Sequence, residues 1–158
     1  MQIDKKKLER QQVGIDKWFT SSEYGATKDK QGTLHWFTGV GKTYAAILVI
    51  KRLFRLNPIH NIVVLVPSEA LLFQWRKELE KHFTKKQLNL ISVMTPYYVI
   101  VNNLKIKTNT LICDELHEYY SIEFIKVING EYIRFDNNLG LTATYEDSKK
   151  RQNLIKVL

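Results

Sequence analysis

Six consecutive residues, Thr38-Gly39-Val40-Gly41-Lys42-Thr43, limit most narrowly what this 158-residue chain can fold into. Two glycines, one residue apart, let successive backbone N–H groups turn toward an anion. The run Leu34 to Phe37 ahead of them reads as a strand, and Tyr44 to Leu53 behind them reads as a helix. A helix start adds free N–H groups and a partial positive charge. Strand, small-residue loop, Lys-Thr, helix is an arrangement that grips phosphates. Thr38, Gly39, Val40 and Gly41 form the loop, Lys42 reaches the β and γ phosphates of a nucleotide, and Thr43 offers its hydroxyl to Mg²⁺. Trp36 stands where the strict G-x-x-x-x-G-K-[ST] pattern has its first glycine. Taken alone, the six residues also fit a plain glycine turn before a helix.

The rest of the chain alternates between two periodicities. Residues 4 to 19 carry Leu8, Ile15, Trp18 and Phe19 at loosely helical spacing, and residues 21 to 32 are polar and read as a loop. A first strand is expected over 33 to 37. The helix after the phosphate loop runs to about Leu56 and stops at Asn57-Pro58. Asn61 to Val66 is largely apolar and ends in Pro67, as a strand buried on both faces of a parallel sheet does. Leu71, Leu72, Trp75, Leu79 and Phe83 then follow helical spacing, with Ser68 as N-cap and Glu69 in the first turn. Further strands are expected over 88–94, 108–113 and 139–143, with a short helix within 95–107, another over 121–128, and a basic helical tail from 146. Strands alternating with helices indicate an α/β fold, a parallel sheet with helices on both faces.

A second chemical site follows from the strand over 108–113, which runs directly into Asp114-Glu115. The carboxyl edge of a parallel sheet is where ligands bind. Beside a phosphate loop, Asp114 can help to hold Mg²⁺ through water, and Glu115 can orient and deprotonate the water that attacks a γ-phosphate. A surface acidic pair in a loop is the alternative. His35 and His117 have no cysteine or histidine partner at ligand spacing and read as structural or coupling residues. Cys113, the only cysteine, reads as inert packing, and Trp75 and Phe73 as core or flanking residues of their helix.

The length suits one domain. A net charge of +8 favours a polyanionic partner such as nucleic acid. One cysteine excludes an internal disulfide and fits a reducing compartment. No apolar run approaches the roughly 18 residues of a membrane span, and the start lacks a signal-peptide core. A soluble, intracellular (cytoplasmic) protein is expected.

These residues resemble superfamily 2 helicases and translocases. Thr38 to Thr43 is similar to motif I, Pro67 to Trp75 to motif Ia, Asp114-Glu115-Leu116-His117 to the DEAH form of motif II, and Leu141-Thr142-Ala143-Thr144 to motif III. Gln11, seven residues before Trp18, resembles the adenine-reading glutamine. Gln74-Trp75 and the Leu-Thr-Ala-Thr ending are most similar to the branch containing type III restriction subunits. The resemblance implies a single RecA-like P-loop domain: an adenine-side helix and loop over 1–31, a motor core over 32–145, and a helix over 146–158 leading toward a second domain. It also implies ATP and Mg²⁺ as cofactors. Gln11 would favour ATP over GTP, and His117, Thr142 and Thr144 would link nucleotide state to domain movement. Pro67, Ser68 and Thr95 would touch nucleic acid, DNA favoured over RNA. Leu116 for alanine, Tyr145 for proline and Trp36 for a small residue depart from the family pattern. The family motor has two RecA-like domains. Only 14 residues follow Thr144, so a second domain, in the same or another chain, is an expected partner, and little ATP turnover is expected from this domain alone. A stand-alone nucleotide- or nucleic-acid-binding module that docks on a partner is the alternative. Lys149, Lys150, Arg151 and Lys156 form either a nucleic-acid face or a solvated helix face.

Overall fold

A computed structural model describes residues 5–35, 41–115 and 122–142. Within them, five strands form one sheet in the order β1-β5-β4-β2-β3, and every pairing is parallel. The elements run α1 (Lys5–Phe19), a 3₁₀ turn (Ser21–Tyr24), β1 (Gln31–His35), α2 (Gly41–Leu56), β2 (Ile62–Leu65), α3 (Glu69–His82), α4 (Lys85–Leu88), β3 (Ile91–Met94), α5 (Pro96–Val101), β4 (Ile106–Cys113), α6 (Ile122–Ile128) and β5 (Ile133–Thr142).

The two-residue period of a strand sends alternate side chains to opposite faces. Ile62, Val64 and Val66 therefore join α1, α2 and α3 in one apolar core, together with Ile112, Leu139 and Leu141. Val63, Leu65, Leu111 and Cys113 enter a second core with Val99 of α5 and Val127 and Ile128 of α6. Helices thus cover both faces, as the continuous apolar runs predict. On α1 the buried residues are Gln11, Ile15, Trp18 and Phe19, one face of a 3.6-residue helix. The Trp18 indole donates to the Asn138 carbonyl at 2.8 Å and so ties α1 to β5.

Several boundaries differ from those expected. β1 begins at Gln31 because Gln31 and Gly32 pair with Asn138 and Leu139, and the Asn138 side chain accepts the Gly32 N–H at 3.1 Å. Residues 36 and 37, also expected in that strand, lie outside the described residues. β3 begins at Ile91 rather than at Leu88, since Thr84 and Gln87 form a capping box that draws Leu88 into α4. β4 starts at Ile106, and β5 starts at Ile133, six residues before the expected start. Asp136-Asn137-Asn138 look like a strand breaker in sequence. Here Asn137 donates to the Thr110 hydroxyl at 3.3 Å and Asn138 secures Gly32, so the polar half of β5 is held by side-chain bonds. The short helix expected within 95–107 is α5. The basic tail from 146 lies outside the described residues. No described helix is long and apolar enough to cross a membrane.

Candidate nucleotide site at the carboxyl edge of the sheet

The chemistry-bearing residues gather where the strands end. β5 lies between β1 and β4, and the register pairs His35 of β1 with Thr142 of β5 and Gly140 of β5 with Cys113 of β4. Two residues beyond that last pair come Thr142 and Glu115. Thr142 therefore sits between β1, which precedes Gly41, and β4, which runs into Asp114-Glu115, and it is buried.

Gly41, Lys42 and Thr43 form the first turn of α2. Lys42 is buried and makes an ion pair with Glu115. Glu115 adopts a positive φ of 50°, an uncommon conformation for a non-glycine residue, as the chain turns off the end of β4. Asp114 is 4% exposed. Its backbone N–H continues the ladder to the Leu65 carbonyl at 2.9 Å. Its Oδ2 accepts the Trp75 indole N–H at 2.7 Å, and its Oδ1 accepts the Glu115 N–H at 2.9 Å. Burial pushes the Asp114 carboxyl above the usual carboxylate range. The Trp75 hydrogen bond is the main opposing influence, Glu115 raises it further, and Lys42 lowers it. Cys113 is fully buried, and burial drives its thiol well above its ordinary value, so it takes no part as a thiolate.

Gln11 reaches this edge from α1. Its Nε2 donates to the Gly41 carbonyl at 3.2 Å, while its Oε1 is buried and has no hydrogen-bond partner among the described residues. A Cβ at Gly41 would lie 2.7 Å from the Gln11 Nε2 and 3.1 Å from the Lys7 Cε, so the absence of a side chain at residue 41 is what lets α1 close over the start of α2.

The same edge continues over β2 and β3. Pro67 follows β2, and Ser68 caps α3 by accepting the Leu71 N–H at 3.3 Å, as its position ahead of the helical run predicts. Thr95 follows β3, is buried, and caps α5 by accepting the Tyr98 N–H at 3.2 Å. A groove of about 560 Å³ runs between α3 and β3, its lining including Glu69, Arg76, Thr95 and Tyr98 but not Lys42, Asp114 or Glu115.

The structure therefore brings Gln11, Gly41, Lys42, Thr43, Asp114, Glu115 and Thr142 to one end of the edge, and Pro67, Ser68 and Thr95 to the other. Thr38, Gly39, Val40, His117 and Thr144 lie outside the described residues, as do Lys149, Lys150, Arg151 and Lys156. Phe73 is exposed, whereas Trp75 is core as expected. The sequence reading missed that Trp75 also bonds Asp114, since the two are 39 residues apart.

Comparison with known proteins agrees with this architecture. Residues 4–107 match the family described as "Type III restriction enzyme, res subunit". A protein whose name proposes an ATP-dependent RNA helicase, QP509L of African swine fever virus, is 29% identical over 136 residues, covering 70% of this chain and 24% of its own length. Among solved structures, the Sulfolobus solfataricus SWI2/SNF2 ATPase core in complex with double-stranded DNA superimposes with a TM-score of 0.75 at 18% identity, over 94% of this chain and 35% of that one. The Pyrococcus furiosus Hef helicase domain does so with a TM-score of 0.71 at 18% identity, over 94% and 35%. The chain thus spans about a quarter of the curated relative and a third of the solved ones. Its parallel α/β sheet is the RecA-like fold of those motors, and the chain belongs to the type III restriction res-subunit family of superfamily 2 helicase-type ATPase motor domains.

Proposed function

We propose that this domain binds ATP with Mg²⁺ and is the first half of a nucleic-acid-dependent ATPase motor. The observation that carries the reading is the Lys42–Glu115 ion pair beside the buried Asp114: a phosphate-seeking cation and a candidate base face each other at the end of the sheet. Lys42 binds the β and γ phosphates, exchanging its carboxylate partner for phosphate oxygens. Glu115 then orients the attacking water and takes its proton as the water oxygen bonds to the γ-phosphorus and ADP leaves. Thr38, Gly39, Val40 and Gly41 cradle the phosphates.

The residues present suit Mg²⁺. Thr43 and Asp114 offer a hydroxyl and a carboxylate, the sparse oxygen set of a cation that keeps most of its waters. When bound, Mg²⁺ neutralises phosphate charge. Gln11, with a buried Oε1 that has no partner among the described residues, suits a ligand that offers a donor, such as the amino group of adenine. Residues 32–145 are the motor core in this reading, and His117, Thr142 and Thr144 couple the nucleotide to a second RecA-like domain. An arginine from that domain is worth about 10³–10⁵ in rate in related hydrolases, so the domain alone turns over slowly. Pro67, Ser68 and Thr95 contact the nucleic-acid backbone, with the α3 N-terminus as a phosphate seat. DNA is favoured by the branch resemblance and by a structural neighbour held on double-stranded DNA; the viral relative's name favours RNA.

Binding of a fluorescent N-methylanthraniloyl ATP, with and without Mg²⁺, tests the proposal. Saturable, Mg²⁺-dependent binding that Lys42→Ala weakens at least tenfold is expected. No binding by the unaltered domain, or binding indifferent to Lys42→Ala, overturns it.

A further inference from the structure

We infer that Trp75 is a positioning residue for the metal-side carboxylate, holding Asp114 through its indole N–H so that the carboxylate presents one fixed face to Mg²⁺. The inference rests on the reading of Asp114 given above and adds a residue to it.

Both tryptophans of the described core donate their indole hydrogen, as buried tryptophans do. Trp18 spends its hydrogen on a backbone carbonyl, that of Asn138. Trp75 spends its hydrogen on a side-chain carboxylate at 2.7 Å. Were Trp75 only core filling, a backbone acceptor would serve as well. The choice of Asp114 has a consequence for that group. Among the described residues each carboxylate oxygen has one protein donor, Trp75 on Oδ2 and the Glu115 N–H on Oδ1. A carboxylate has about four lone-pair sites, so one on each oxygen remains for a metal or its waters. The carboxylate plane cannot rotate without breaking the bond at one oxygen or the other.

Trp75 is itself immobile. It is 1% exposed and lies in the core formed by α1, α2, α3 and one sheet face. It stands seven residues beyond Ser68 on α3, two helical turns or roughly 10 Å along the axis. A rigid helix thus joins the carboxylate to the N-terminus assigned above to nucleic acid. Partners behind a metal ligand typically contribute about 10–100-fold to metal affinity.

Trp75→Phe removes the N–H and keeps a ring. The experiment is a Mg²⁺ titration of N-methylanthraniloyl-ADP binding to the unaltered domain and to the variant. We expect metal-free binding of the nucleotide to stay within twofold, and the Mg²⁺ concentration for half-maximal effect to rise about 10–100-fold. An unchanged Mg²⁺ requirement overturns the inference, as does an equal loss with and without metal, which is the signature of a structural role. A second measurement does not depend on the variant folding. In indole-¹⁵N-labelled unaltered protein, with the three tryptophan signals assigned by Trp18→Phe and Trp36→Phe, Mg²⁺ added to the ADP complex should move the Trp75 N–H resonance and leave that of Trp18 in place; no movement overturns the inference. Failure of the unaltered domain to bind the nucleotide at all overturns the functional proposal and this one together, whereas normal Mg²⁺-dependent binding with an indifferent Trp75 overturns this one alone.

Discussion

Lys42 and Glu115 are 73 residues apart in sequence and meet as an ion pair, the lysine almost wholly buried and the glutamate about one-quarter exposed. In the function proposed above, each is the group that the other's ligand displaces. Glu115→Gln removes the charge that pairs with Lys42 and, in that proposal, the base that activates water. Nucleoside triphosphate affinity is expected to be equal to or tighter than that of the unaltered domain. Steady-state hydrolysis, measured with the second RecA-like domain of the proposal supplied, is expected to fall about 10²–10⁴-fold. Equilibrium binding and phosphate release measure the two; loss of both together would contradict the assignment.

Gln11 and Gly41 are the next pair. Gln11→Ala removes one side-chain bond to the Gly41 carbonyl, worth about 1 kcal/mol, so the melting temperature should change little. Preference for ATP over GTP should fall about tenfold, one charge-free hydrogen bond's worth or slightly more. Gly41→Ala should mimic that loss of selectivity, because its Cβ would displace the Gln11 amide. Competition of ATP and GTP for the fluorescent analogue reads the ratio.

Ser68 separates capping from phosphate contact. Ser68→Ala loses the bond to the Leu71 N–H and about 1 kcal/mol of stability. Ser68→Asp keeps a good cap and adds a negative charge beside Glu69. The aspartate variant is expected to melt near the unaltered protein yet bind a DNA or RNA oligonucleotide several-fold more weakly, with the difference shrinking as salt rises. Thermal melts and fluorescence anisotropy at two salt concentrations check this, and the comparison of DNA with RNA probes identifies the polymer.

At the opposite edge of the sheet, His60 is buried against the Thr110 hydroxyl at 2.7 Å. Burial, and secondarily Lys30, hold its imidazole below its ordinary value of 6.5, with Asp136 opposing. A histidine depressed in the folded state contributes stability that is present above the unfolded value and is lost as pH falls through the folded one. Asp114 is raised in the folded state and acts with the opposite sign, favouring the fold at acid pH. The urea midpoint should therefore drop as pH is lowered below about 6.5, and His60→Asn should remove that part of the slope.

What was legible in the sequence follows from burial. β2 and the end of β4 are buried on both faces, so they read as unbroken apolar runs, and each delivers its polar group at the carboxyl end where the run stops. Ser68 was legible as a cap because capping is local. The first half of β5 was not, since Asp136-Asn137-Asn138 become strand residues only through partners on β1 and β4. Trp75 read correctly as core, but its bond to Asp114 is a tertiary fact that no local spacing encodes.

The strand order has one more consequence. β1 and β4 are each bonded to β5 and not to each other. The gap that Lys42 bridges to reach Glu115 is therefore one strand wide, two ladder spacings or roughly 10 Å. Backbone hydrogen bonding sets that width, so β5 acts as a gauge block that holds the carboxyl ends of β1 and β4 a fixed distance apart.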